Sequence, residues 1–418
     1  MHLPKFLTKF LAVLLSIITP VACVMTLDLT ARFDKAIPEA LEKAGGFMAG
    51  VCHPEPEYDM ITGANIGWIR EDMPMPVDAD GNVTDRWERW KAEMQAYADH
   101  GIKLMTVTPY PDDYRAIGLD IRNEADIPGI QAIARFIIED LQGIAGGIQV
   151  TNEMGVDRFT LPLTMDEAAK FIGVQLEAMY PLRGDVLLGY NLGGLGFLQL
   201  PFRMMKYHKY CDYIGVDLYL GSFENIVKDI NLHMAILQLV RLVTHKPIIM
   251  QEFGYIGYGE PKTQAEKTEI LRSYGFESEA AARADIWTFV NRLPKDLAEE
   301  INENYADRSD AEVASLVFDG EYANHIYREL AEGTGLRGYE HSPEGQAKFY
   351  ADLIPKLKNC GFVIGAFLYM WNDSEHCYVC GQSDCPVETG WGIVDGEGNP
   401  KPAYYAVRDA FAQEPTIS

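Results

Sequence analysis

The chain has 418 residues, 48% of them apolar and 23% charged, with 22 Tyr and 18 Phe, which is ample material for one large core. Its net charge of −25 weighs against a nucleic-acid partner, because phosphate recognition needs clustered Lys and Arg. A neutral polymer such as a sugar chain meets no such repulsion.

The first element is a leader. Lys5 and Lys9 precede the apolar run 10–18, which Thr19-Pro20-Val21-Ala22-Cys23 follows. A basic start, a short apolar core and a small residue at the end have the layout of an export signal, so residues 1–24 predict a secreted or membrane-tethered, extracytoplasmic protein. The run is shorter than the ~20 residues of a bilayer span, so no stable membrane span is expected. Ala22-Cys23 resembles a bacterial lipoprotein cleavage site and would give a lipid tether, though Pro20 is atypical there. The rival reading takes Met25 as the true start of a cytoplasmic protein. Residues 25–418 read as one domain.

Apolar segments then recur at 46–52, 65–70, 101–108, 147–153, 185–191, 213–219, 247–252 and 361–371. These near-continuous runs mark strands buried on both faces of a parallel sheet. Amphipathic stretches separate several of them. Trp87, Trp90, Met94 and Tyr97 recur at helical spacing, with Asp85 placed to cap. Ile130, Ile133, Ile137 and Leu141 follow Pro128, which suits a first helical turn. Thr164 and Glu167 form a capping box, and Ser342-Pro343 opens a last helix carrying Phe349, Leu353 and Leu357. Eight strands with intervening helices are the count of an α/β fold of the (β/α)8 TIM-barrel type. An open doubly wound sheet is the alternative, weakened because no Gly-rich phosphate loop follows the first strand.

The gap between the seventh and eighth strands is out of scale. Its excess, about 258–340, is charged and helix-prone at 281–290, 295–305, 311–317 and 322–331. It leaves from the C-terminal end of a strand, the face where barrels keep their chemistry. A helical insertion lining a cleft is therefore expected, against the alternative of a stabilising appendage.

Two short apolar runs close on glutamates, in Thr151-Asn152-Glu153 and Gln251-Glu252-Phe253, 99 positions apart. Carboxylates at the C-terminal ends of barrel strands are placed for catalysis. Cleaving a glycosidic bond needs one carboxyl to protonate the leaving oxygen and another, ionised, to meet the anomeric carbon. The ends of strands four and seven face each other across a barrel mouth, which suits such a division.

The order of these residues resembles the clan A superfamily of retaining (β/α)8 glycoside hydrolases, with its cellulase-like and β-galactosidase-like members, over roughly 45–412 apart from the insertion. The resemblance implies Glu153 as acid/base, Asn152 as partner of the sugar 2-hydroxyl and Glu252 as nucleophile. It further implies that Arg70 pairs with the nucleophile, that Tyr219 donates a hydrogen bond to it, and that Trp371 is an aromatic floor under the sugar. Tyr110, from Thr108-Pro109-Tyr110, is a weaker sugar contact. The tail Gly390-Trp-Gly-Ile-Val-Asp395 and Pro400-Lys-Pro-Ala-Tyr404 resembles the family's closing segment. Met154 departs from a common Pro, and Asp217-Leu218-Tyr219 from a common His-x-Tyr; both bear on substrate, not reaction class. The implied partner is a carbohydrate with O-glycosidic, β-linked bonds. A barrel that binds carbohydrate without cleaving it is the alternative.

Catalysis of this kind needs no cofactor. The cysteines raise a separate matter. Cys377-Tyr-Val-Cys380-Gly381, followed by Cys385, suits a metal knuckle, and tetrahedral zinc wants four ligands. Barrel closure puts strand one beside strand eight, so Cys52 is the expected fourth ligand of a structural zinc, with His53 or His376 as substitutes. Disulfides and free thiols are the other readings. Cys211 and Cys360 are expected in the core. A metal-dependent hydrolase built on this cluster is disfavoured, because catalytic metals keep an open position and usually take His or carboxylate ligands.

Overall fold

The computed structural model of the protein describes residues 35–193, 199–222, 227–320 and 322–415. The leader 1–24, Cys23 and Met25 lie outside the described residues. Among the described residues, no helix is long and apolar enough to cross a membrane.

Eight parallel strands close on themselves: β1 (Met48–Cys52), β2 (Trp68–Asp72), β3 (Lys103–Val107), β4 (Ala145–Gln149), β5 (Leu187–Gly193), β6 (Tyr213–Leu218), β7 (Ile248–Phe253) and β8 (Val363–Leu368). Each pairs with the next, and β8 returns to β1 through Met48↔Gly365 and Val51↔Leu368. Every residue of β5, β6, β7 and β8 is buried, as the continuous apolar runs require. Parallel neighbours cannot be joined by a hairpin, and helices supply most of the crossovers.

Local chemistry sets the helix starts. The helix Asp85–Asp99 is capped by Thr84, whose hydroxyl accepts the Trp87 N–H at 3.1 Å, and not by Asp85. Asp85 instead occupies the first turn, where the helix dipole favours negative charge. The Thr164–Glu167 capping box opens Met165–Met179, and Ser342 caps Pro343–Lys358 by accepting the Gly345 N–H at 3.0 Å.

Between β7 and β8 lie the helices Gln264–Ser273, Glu279–Ala284, Ile286–Val290, Lys295–Tyr305, Asp310–Asp319 and Tyr322–Tyr327. The stretch 281–290, expected as one helix, is broken at Asp285, whose φ of −132° and ψ of 57° leave the helical region. The helix Gln264–Ser273 escaped notice although Thr263 and Glu266 form a capping box before it. These helices share a second core, built on Ile270, Phe289, Leu297 and Val317, that continues into Cys377, Val379 and Trp391 of the segment after β8. The insertion is thus anchored on the mouth of the barrel.

One irregularity positions the site. Along β6 the register runs Val216↔Met250 and then Asp217↔Glu252, so Gln251 is extra. The same stretch slips against β8. A bulge of this kind resets the alternation of side chains. Both Gln251, whose Nε2 donates to the Tyr213 hydroxyl at 3.2 Å, and Glu252 consequently face the interior. Gly215 makes room for this, because a Cβ there would lie 1.7 Å from Gln251 Oε1.

Candidate active site

Arg70 on β2 organises the mouth of the barrel. It is 1% exposed, and its planar fork spends each nitrogen differently: Nη1 meets Glu252 Oε1 at 2.6 Å, Nε donates to Gln149 Oε1 at 3.0 Å, and Nη2 donates to Asn152 Oδ1 at 2.8 Å. Burial opposes its charge, but Glu252 and its neighbours outweigh burial and raise its pKa. The second oxygen of Glu252 accepts a hydrogen bond from the Tyr219 hydroxyl. Burial first, and then the nearby charge of Glu252, push the Tyr219 pKa well up and keep it a donor.

Asn152 and Glu153 follow β4 in a turn with two left-handed residues, Thr151 at φ +59° and Glu153 at φ +46°. Such conformations cost ~1–2 kcal/mol each for an L-residue and persist where neighbours over-determine them. Here the Thr151 N–H is held by Thr108 Oγ1 at 3.0 Å and the Glu153 N–H by Asn191 Oδ1 at 2.8 Å. Asn152 Oδ1 also accepts from Gln149 Nε2 at 3.0 Å and Asn191 Nδ2 at 2.6 Å. With that oxygen occupied by three donors, the amide presents its NH2 group to the mouth of the barrel. Gly193 at the end of β5 leaves space for Glu153: a Cβ there would lie 2.6 Å from its side chain.

Asp217 on β6 is fully buried and accepts from Asn191 Nδ2. Burial, followed by the charges of Glu252 and Glu153, pushes its pKa well up and favours its protonated form. Gln149 and Asn191 escaped the sequence reading, since an amide in an apolar run looks like any buried polar residue. The usable signal was their position at the C-terminal ends of β4 and β5.

Two expected residues need different treatment. Trp371 is fully buried, packs edge-on against Tyr404 at 6.1 Å, and donates its Nε1–H to Glu57 at 2.8 Å, so it has no face to offer a sugar. Tyr369, two residues earlier and half-buried, meets Tyr219 edge-on at 5.9 Å and His53 at 6.1 Å. Of the two rings, Tyr369 is therefore the one that lies beside the Tyr219–Glu252 pair. Tyr110 reaches Asp72 at 3.4 Å and stacks on Phe159 at 5.8 Å, on the rim near β3 and β4.

Further along that rim, Arg158 lies over the ring of Tyr378 at 5.0 Å and pairs with Glu300 of the insertion at 3.8 Å. Glu388, buried nearby, has its pKa pushed well up by burial above all. None of these four was singled out by sequence, because no local pattern distinguishes them.

The structure gathers Cys377, Cys380 and Cys385, but their fourth neighbour is His325 of the insertion, with the four ligand atoms within 4.8 Å of one another. This group could hold a metal ion. Cys52 does not belong to it. As the last residue of β1 it points into the barrel, with Sγ 3.9 Å from Arg70 Nη1 and 3.7 Å from the Gln251 carbonyl. His53 instead pairs with Glu71 at 3.2 Å, and exposed His376 lies 3.6 Å from Glu375. Cys211 is buried, and Cys360 is half-buried against Met234 at 3.7 Å.

No family model matches the chain, and no curated protein does. Solved structures do. The GH53 catalytic domain from Ignisphaera aggregans superposes with a TM-score of 0.53 at 14% identity, over 90% of this chain and 94% of that one. A family 39 glycoside hydrolase from the gut symbiont Bacteroides cellulosilyticus WH2 gives 0.54 at 12% identity, over 90% of this chain and 65% of that one. These likenesses show a shared fold, the closed eight-stranded parallel (β/α)8 barrel. A Parabacteroides merdae β-glucuronidase gives 0.50 at 10% identity, over 88% of this chain and 38% of that one. The chain therefore spans less than two thirds of the latter two, and at these identities the likeness concerns the barrel fold alone.

Proposed function

We propose that the protein is a retaining glycoside hydrolase acting on a β-linked oligo- or polysaccharide through a two-glutamate double displacement. The observation that carries this reading is the buried Arg70–Glu252 pair at 2.6 Å, completed by the Tyr219 hydroxyl, at the C-terminal end of β7. A guanidinium and a phenol, one on each oxygen of a single carboxylate, fix its orientation, as a nucleophile requires.

Glu252 attacks the anomeric carbon while Glu153 gives its proton to the leaving oxygen. The bond to the leaving sugar breaks as the ester to Glu252 forms. Glu153, now a carboxylate, takes a proton from water, and that water opens the ester with net retention. The Asn152 NH2 group faces the sugar 2-hydroxyl, where a hydrogen bond that strengthens in the transition state accelerates the reaction. Tyr369 supplies the aromatic surface against the ring. The insertion shapes the subsites, supported by its Glu300 contact to Arg158 of the segment after β4. The Cys/His group stands apart from this chemistry.

A panel of aryl β-glycosides tests the reading, with the anomer of the first-formed product followed by proton NMR. Hydrolysis with retention is expected for at least one sugar, and Glu252→Ala and Glu153→Ala should each cut the rate by at least about 10²–10³-fold. Inversion, or full activity in Glu252→Ala, refutes it. Carbohydrate binding without turnover by the wild type favours the non-catalytic alternative.

A further inference from the structure

The reaction leaves four chemically distinctive side chains unused. Cys377, Cys380, Cys385 and His325 are all buried. His325 Nδ1 lies 3.4 Å from Cys377 Sγ and 3.7 Å from Cys385 Sγ. Zn–S bonds of about 2.3 Å and Zn–N bonds of about 2.0–2.1 Å at tetrahedral angles demand S···N edges of about 3.6 Å. The two observed edges bracket that value.

The local backbone also suits thiolates. In Cys377-Tyr-Val-Cys380-Gly381 the Cys380 N–H points at Cys377 Sγ at 3.4 Å, and the Gly381 N–H bonds to the Cys377 carbonyl at 2.7 Å. Gly381 sits at φ +67°, a conformation glycine adopts without penalty. This turn puts both sulfurs on one side and turns an amide dipole toward one of them.

We propose that these four residues bind one zinc ion in a closed, structural Cys3His site. Three thiols release their protons to solvent on binding, and His325 ligates through Nδ1 as a neutral imidazole, so the bound unit carries one net negative charge. Four protein ligands leave no open position, which separates the site from catalysis.

The placement gives the ion a role. Its ligands come from two segments, the helix Tyr322–Tyr327 of the insertion and the chain after β8. Arg328 and Asp384 join the same segments by an ion pair at 3.1 Å. Tyr378 stands between two ligands, under Arg158, and Arg158 reaches back to Glu300 of the insertion. Zinc thus closes a ring of contacts that holds Tyr378 under Arg158.

Metal analysis of the purified full chain, produced in zinc-supplemented medium, tests this without reference to any glycosidase activity. One zinc per chain is expected. Cobalt exchanged into the site should show the visible bands of a tetrahedral ion and thiolate-to-cobalt charge transfer. Chelation should lower Tm, and zinc alone should restore it. His325→Ala and Cys380→Ser should fall well below one zinc. His325→Cys, which restores four ligands, should keep one, as should Cys52→Ser. Substoichiometric zinc in the wild type overturns the proposal, whether the cysteines are then found as thiols or as a disulfide. Full occupancy in Cys380→Ser, or its loss in folded Cys52→Ser, does the same.

Discussion

Arg70 and Glu252 form the contact on which the site turns, and a double-mutant cycle measures it without knowledge of the substrate. At the 2.6 Å separation observed, Coulomb attraction at an effective dielectric of about 20 amounts to about 6 kcal/mol. Desolvating two buried charges consumes much of this, and removing one partner of such a pair usually costs about 3–5 kcal/mol. Arg70→Met should sit at the upper end, because it also abandons Gln149 and Asn152. Glu252→Gln should cost less, about 1–2 kcal/mol, since its amide oxygen still accepts from Tyr219. The double variant leaves no unpaired charge, so its cost should fall short of the sum by about 2–3 kcal/mol. Urea unfolding at neutral pH supplies all four stabilities. Additivity within about 0.5 kcal/mol would show that the two groups do not interact, and the account of the site would fail with it.

Other expectations are narrower. Gly193→Ala should lower kcat at least about tenfold, which corresponds to 1.4 kcal/mol, with little change in KM, because the added methyl displaces the Glu153 carboxyl; unchanged kcat on the best aryl glycoside contradicts this. Asp217→Asn should stabilise the protein at neutral pH. The folded pKa of Asp217 lies above its ordinary value of 3.8, so wild-type stability falls as pH rises through that interval. The Asn variant escapes the loss, and its Tm advantage should shrink to nothing near pH 4; a constant or growing advantage toward acid is the opposite outcome. Tyr369→Ala should raise KM for the best aryl glycoside several-fold, whereas Trp371→Phe, which loses only the bond to Glu57, should lower Tm and leave KM alone; the reverse pattern would restore Trp371 as the sugar platform.

The barrel was legible because burial on both faces forces apolar runs, and eight of them stand in the chain. The two glutamates were legible because a charged residue closing such a run is conspicuous. What local sequence does not carry is direction. Trp371 looked like a floor only because it follows β8; a two-residue shift exchanges the half-buried ring of Tyr369 for a fully buried one. Cys52 misled in a similar way: strand adjacency brings β1 near the cysteine loop, but pleat alternation sends its side chain into the barrel beside Arg70. His325 lay beyond reach, because its approach to the cysteines depends on how six helices of the insertion pack. The bulge at Gln251 left no trace in the sequence, yet it brings Glu252 round to Arg70.

Trapping the intermediate tests the central claim most directly. The wild-type protein, incubated with an activated 2-deoxy-2-fluoro glycoside of whichever sugar it hydrolyses, should gain the mass of one fluorosugar. Peptide mapping should place that mass on Glu252. A label on Glu153 or any other residue, or turnover of the parent glycoside by folded Glu252→Ala at the wild-type rate, would contradict the assignment of the nucleophile.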